Sequence, residues 1–497
     1  MKDLSYAQYR TLLQDNPSVA LPNGQGVLVC NEDFRWGPVA FITPGLHVRL
    51  IEDILFDCTT PPSLHAHGHG NHRGFFAVVE LAADDITFDC DGHSLAMSER
   101  ACLLHRFAAL LQVGSRPFEQ GAGPFREGFG PFVPAHGVKI INGTLGRNSH
   151  FAVHGNQCQR LTMENLIIKD FEVAGLFVNG ARALRMKSVT LGPNRVAPLN
   201  VRWSQFQQSL HDLITVPADF TLDFATERIR AGDFYQDYCR RLIDAENHIC
   251  CLSTAEQVWQ YFLNDPFLAF FCETGFQAQR SEVNVFGIVV NGTHQDRLGS
   301  RFLVADVEAE PVPIFLDMED VAIHALQSHL IRPSVLQEAG KDISGGSRST
   351  LALRVTEDFR TSIHPLLRAQ LLIYAYEQRG TPSSETLQWL TSGTPEETAM
   401  SLQSFPSLQI LHDADGMMHK HKGTIALLLR NLRGAQLQGV QVARLTASST
   451  FPAHSCSLAL VHCQDVTCRG CQFQGDSTIP SLLQFDRCSN ISLEANR

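Results

Sequence analysis

Three histidines alternate with small residues in His65-Ala66-His67-Gly68-His69, and on an extended strand that alternation puts three imidazoles on one face. Such a face is a ligand set for zinc, nickel or copper, so a divalent metal is the cofactor these residues would hold. No carboxylate or cysteine is fixed beside them. Pro61-Pro62 and the nearby glycines describe a solvated polar loop, which is the competing reading.

A second set surrounds Ser149-His150-Phe151-Ala152-Val153-His154-Gly155. With Phe151, Val153 and Gly155 inward, His150 and His154 face outward together, ~13 Å apart at ~3.3 Å per residue. That is too far for one metal but able to flank a sugar. Asp170 and Glu172 stand 23 residues after Arg147 and Ser149, and Arg195 stands 23 after Glu172. A base, two acids and cations in one groove suit uronate chemistry. Arg195 or Arg147 would neutralise the C6 carboxylate and acidify the C5 proton, and His150 would remove it. The competing reading is a surface ion pair between Glu172 and Arg195, with histidines filling a sheet face. Phe118 and Phe125 lie in a Gly/Phe/Pro segment, residues 117–132, whose length suits a lid or binding wall with aromatics that stack on sugars. Asp89, Asp91 and His93 share parity, but Asp91-Gly92 reads first as a tight turn.

The spacing of 23 belongs to the elements that must carry these residues. Val138–Leu145, Leu161–Ile168 and Leu184–Leu191 align without gaps at steps of 23 residues. Each runs apolar-polar-apolar into a small polar residue, Asn142, Asn165 or Ser188, then turns apolar again. Two short strands hinged at a tight turn fit that pattern. Val138, Leu161 and Leu184 point inward with Ile140, Met163 and Met186. A third strand recurs at Phe151–Gly155, Ala174–Val178 and Ala197–Val201. Three strands per 23 residues predict a mainly β chain wound as a right-handed parallel β-helix, whose turns stack at ~4.8 Å. Asn142 and Asn165 would form an amide ladder within the turn.

In this coil pattern the sequence resembles the pectate-lyase-like superfold. That resemblance implies a β-helix with grooves for extended polysaccharides. Its catalytic motifs do not carry over. Gly68-His69-Gly70 is shared with polygalacturonases, but no Asn-Thr-Asp precedes it, Asp84-Asp85 follows it, and no Arg-Ile-Lys closes the set. Arg195–Arg202 matches the Arg-rich motif of pectate lyases only loosely, and the Asp-Pro-His-Asp of mannuronan epimerases is absent.

The expected organisation is an N-terminal cap at 1–43, β-helix blocks at 44–203, 282–331 and 425–497, and two α-helical insertions at 204–281 and 332–424. The stretch Pro44–Phe56, with Ile51 and Ile54, reads as a leading strand; Ile86–Leu95, Val283–Val290, Phe302–Val307 and Val321–His324 as further coil. Glu227–Arg230, Asp237–Ala245, Ala255–Leu263 and Phe359–Gln378 have helical spacing. Cys158, Cys463 and Cys488 each precede an inward residue by three positions, which reads as a structural thiol ladder.

Composition narrows the partners. The chain of 497 residues carries 40 basic and 51 acidic side chains, a net charge of −11, and no dense basic run. Nucleic acid is thereby excluded as an expected partner. No stretch of about 18 apolar residues offers a membrane span. Fourteen dispersed cysteines and a first segment unlike a secretory signal predict a cytoplasmic protein, with signal-less export as the alternative. Function is expected to be carbohydrate-active: a polysaccharide lyase, epimerase or hydrolase working on a glycan or smaller substrate. The alternatives are a non-catalytic β-helix that binds a protein partner through its helical insertions, and a metal-dependent enzyme using the histidine-rich loop.

Overall fold

Small polar residues bend each long strand at one shared position. Asn142, Asn165, Ser188 and Asp320 have φ of 60°, 55°, 53° and 53°, the left-handed region. They divide strands Lys139–Leu145, Leu161–Ile168, Ala183–Leu191 and Phe315–His324. The expected amide ladder is present: Asn165 Nδ2 donates to Asn142 Oδ1 at 3.2 Å, and Asn142 Nδ2 donates to Asp89 Oδ1 at 3.2 Å.

The computed structural model describes residues 2–57, 76–114, 133–194, 221–230, 285–292, 311–326, 424–446 and 455–494, except 36, 105–107, 225–226 and 480, together with His248, Leu252, Thr254 and Gln257. Among these residues the protein is mainly β, with a 17-stranded sheet, a 9-stranded sheet and an antiparallel pair. Pairing within the larger sheet follows the predicted register, Ile140 opposite Met163 and Met163 opposite Met186, and Met318 continues the column. Every pairing in the two large sheets is parallel, so consecutive strands cannot be hairpin neighbours. The chain alternates instead. Phe151–Asn156, Ala174–Asn179 and Thr424–Arg430 fall in the smaller sheet, each following a strand of the larger one, and Val285–Asn291 joins them after the antiparallel pair. One hydrophobic core joins the inner faces, and it contains Val138, Ile140, Leu161, Met163, Leu184 and Met186 as predicted.

In the smaller sheet the alternation slips. Ala152 and Val153, consecutive residues, both belong to this core, as do Ala426 and Leu427. The first of each pair has little room, and the same position holds Gly175 and Gly287. A Cβ on Gly287 would lie 2.4 Å from the Ala426 carbonyl oxygen. Phe151, read as inward, therefore points the other way. It joins a second hydrophobic cluster with Ala174, Phe177, Phe286, Val289, Leu428 and Ala459 on the outer face, also buried.

Other readings are corrected locally. Glu227–Arg230 is a strand paired antiparallel with Thr221–Phe224, since four residues with one apolar position, Ile229, are too few to tell helical spacing from a strand. The stretch Pro44–Phe56 forms two strands, His47–Leu50 and Ile54–Phe56, and Ile51 between them is exposed. Gly26–Val29 and Val39–Phe41, within the segment read as a cap, already belong to the two sheets. Ahead of them the helix Tyr6–Asp15 starts at a capping box, with Ser5 Oγ accepting from Gln8 N at 3.2 Å and Gln8 Oε1 accepting from Ser5 N at 2.9 Å. The stretches Phe302–Val307, Asp237–Ala245, Ala255–Leu263 and Phe359–Gln378 lie outside the described residues. Among the described residues no helix is long and apolar enough to cross a membrane.

One step of the expected thiol ladder is present, between Cys463 and Cys488. Cys158 and Cys463 are buried, and Cys463 N donates to the half-buried Cys488 Sγ at 3.4 Å. Burial pushes the Cys158 thiol up to about 12, whereas the Cys463 thiol holds Cys488 well below the ordinary range.

Candidate functional site

The smaller sheet is entered through a corner built by asparagines. Asn148 pairs with Phe171 as an isolated parallel bridge, 23 residues apart, and Asn148 Oδ1 accepts from His150 N at 3.2 Å. Asn194, 23 residues after Phe171, reaches back to it, its Nδ2 donating to the Phe171 carbonyl at 3.0 Å. These bonds fix the chain where Ser149, His150 and Glu172 leave the corner. The His150 carbonyl accepts from Val173 N and Ala174 N at 2.9 and 3.1 Å, which binds the Glu172 segment to the His150 segment.

Glu172 is buried at 4% exposure, while His150 is half-buried with its ring 3.9 Å from that of Phe151. Arg147 reaches the same corner, and its Nη2 pairs with Glu99 Oε1 at 3.2 Å. Glu99 opens the short helix Glu99–Leu104, which also brings the buried Cys102. Burial raises the Cys102 thiol above its ordinary range; Arg147 opposes that shift, and Glu172 and Glu99 add to it. Of the three charges that act on this thiol, Arg147 and Glu99 are in direct contact.

Sequence reasoning brought Arg147, His150, Asp170 and Glu172 to one corner. Asp170 lies there in a left-handed turn, φ 56°, its carbonyl accepting from Asn148 N at 3.2 Å. His154 does not line an open groove. It is 1% exposed, its Nδ1 lies 2.7 Å from Gln112 Oε1, and its ring stacks on Phe151 and Phe177 at 5.1 and 6.1 Å. Imidazole packed between aromatics and satisfied by an amide serves the fold. Arg195, Phe118, Phe125, His65, His67 and His69 lie outside the described residues. Among the described residues no cluster of three or more His, Cys, Asp or Glu side chains could hold a metal ion.

Two members of the corner were missed, Glu99 and Cys102. Their signal was the start of a short helix at Ser98, whose Oγ accepts from Ala101 N at 3.0 Å. The triplet Asp89, Asp91 and His93 builds the turn: Asp89 Oδ1 accepts from Asp91 N at 2.9 Å, and His93 Nδ1 lies 3.6 Å from Asp53 Oδ1.

No family model matches the sequence, and no curated protein matches it. Among solved structures, a candidate glycosyl hydrolase from Parabacteroides merdae ATCC 43184 is similar over 40% of this chain and 91% of its own, at 13% identity and a TM-score of 0.25. Likeness at that level carries no functional argument.

Proposed function

We propose that the two parallel sheets are walls of a right-handed parallel β-helix with coils of about 23 residues, and that the protein is a carbohydrate-active enzyme working at the Arg147, His150 and Glu172 corner. The winding is supported by the alternation of strands between sheets and by one offset in both: Ile140 with Met163, and Val153 with Leu176, each 23 residues on. Helical insertions at 204–281 and 332–424, a cytoplasmic location and a glycan substrate belong to the same proposal. None of the described cysteines forms a disulfide, which supports the reducing compartment.

The observation that carries the activity is a buried Glu172 tied to a half-buried His150, with a cation at the same corner. On a uronate polymer, Arg147 would draw the C6 carboxylate. His150 would take the C5 proton, the electron pair would form the C4–C5 double bond, and the departing O4 would take a proton from Glu172. In an epimerase the proton would instead return to the opposite face.

Purified protein incubated with a panel of acidic and neutral glycans, read by unsaturated-uronate absorbance and by reducing ends, tests this. His150→Ala and Glu172→Gln should each lower the rate by roughly 10²- to 10⁴-fold. Absence of turnover on every polymer, with both variants binding as wild type does, refutes an enzyme here. The ion pair of Arg147 with Glu99 favours one second reading, a site that binds glycan without turnover. Its mark would be glycan retention lost in Glu172→Ala with no product from wild type.

A further inference from the structure

The opposite end of the smaller sheet carries a polar column that changes character partway. Asn156, Asn179 and Asn291 end three successive strands in register, all buried, and Asn179 Nδ2 donates to Asn156 Oδ1 at 2.9 Å. An amide both donates and accepts, so such a column can satisfy itself. The next residue in the column is Arg430, opposite Asn291 and followed by Val461. A guanidinium has five N–H donors and no acceptor, so it cannot extend the ladder as an amide would.

Arg430 is 1% exposed, and its Nε, Nη1 and Nη2 are all buried with no hydrogen-bond partner among the described residues. Among the described residues the Cys463 thiol favours its charge, but no carboxylate pairs with it. Arg487 is a like charge, already paired with Asp486 at 3.1 Å, and burial pulls the Arg430 guanidinium down to about 10. Asp486 ends the column two strands beyond Arg430, ~10 Å away at ~4.8 Å per strand. A guanidinium stays charged in proteins, and a buried charge with no counter-ion is among the least favourable arrangements a fold can hold.

We infer that Arg430 is the anchor of an oxyanion-binding site, in which its planar fork takes two oxygens of one carboxylate, sulfate or phosphate group. The fork geometry matches such groups in a bidentate manner, and a dry site strengthens the attraction. Six residues along the strands and three strand spacings separate it from the His150 corner, roughly 24 Å. The two sites are distinct, and the anion site does not rest on the glycan reading.

The test is thermal unfolding of the full chain at constant ionic strength in chloride, with inorganic phosphate, inorganic sulfate or the monosaccharide glucuronate added in turn. Wild type should show a saturable rise in Tm with at least one of them. Glucuronate alone would mark a sugar carboxylate, and phosphate or sulfate alone an ester group. Arg430→Met should abolish the rise while melting no lower than wild type in chloride, since it removes an uncompensated charge. Arg430→Lys keeps charge without the fork and should weaken binding roughly 10- to 100-fold. No saturable rise in wild type overturns the inference whatever the variants do. An equal rise in a folded Arg430→Met or Arg430→Lys overturns it as well.

Discussion

On the outer face of the larger sheet, Arg185 lies 3.6 Å from Asp317 and Lys187 3.1 Å from Glu319, with all four side chains more than a third exposed. On the outer face of the smaller sheet, Phe151, Phe177, Phe286 and Leu428 are each at most 5% exposed. Both sheets share one inner core and one 23-residue offset, so the backbone does not create the difference. Side chains do. The larger sheet meets water on its outer face and lays stacked ion pairs there, where solvent and salt screen them. The smaller sheet is buried on both faces and, apart from the paired His154 and Gln112, polar groups flank its apolar strip at both ends. One end holds Glu172 and His150; the other holds the asparagine column and Arg430. Charges in that setting act at low dielectric, so both proposed sites fall on one sheet.

The largest test of this contrast is Phe177→Ala. Its ring stacks on Phe151 at 4.8 Å within the second cluster, and removal should cost about 3–5 kcal/mol in chemical denaturation. A loss below about 1 kcal/mol, the range of exposed sites, would break the comparison, because the face would then not be packed. Gly287→Ala comes next. Its new Cβ would meet the Ala426 carbonyl at 2.4 Å and Ile323 Cγ2 at 2.9 Å, contacts that the slip to two consecutive inward residues imposes. Overpacking there should cost about 1–3 kcal/mol by the same measurement. A neutral result would mean that the smaller sheet has room at this column.

The larger sheet was legible in the sequence because period two and period 23 coincide there. Val138, Leu161 and Leu184 are inward, and Asn142 and Asn165 sit at the bend. The smaller sheet was only partly legible. Its register could be read, but the slip at Ala152-Val153 reverses Phe151, and alternation alone carries no signal for two adjacent inward residues. What did signal burial on both faces was the near-continuous apolar run, Val285-Phe286-Gly287-Ile288-Val289-Val290 and Ile425–Leu429. At the candidate site, Arg147, Asp170 and Glu172 were found because they obey the same spacing. Glu99 and Cys102 were not, since they come from a helix outside it. Arg430 escaped because its column, Asn156, Asn179 and Asn291, resumes only after residues that interrupt the period.

On the larger sheet, Lys187→Ala should cost about 0–1 kcal/mol and should cost less still at high salt. A salt-independent loss of more than about 2 kcal/mol would show that this ladder behaves as a buried network and would erase the contrast between faces.

The smallest effect belongs to His324, which closes the strand Phe315–His324 and is half-buried. Burial, with Arg444 nearby as the lesser cause, lowers its affinity for a proton below that of a free histidine. The unfolded chain therefore binds this proton at a higher pH than the folded chain does. Stability from the neutral ring is fully present above the ordinary histidine value of about 6.5 and is lost as pH falls through the lower folded value. Measured from pH 7.5 to 5.0, Tm should fall less steeply in His324→Asn than in wild type. Identical slopes would mean that the rim of the larger sheet is as wet at His324 as it is along its ion-pair ladder, so that burial on this sheet stops at its inner face.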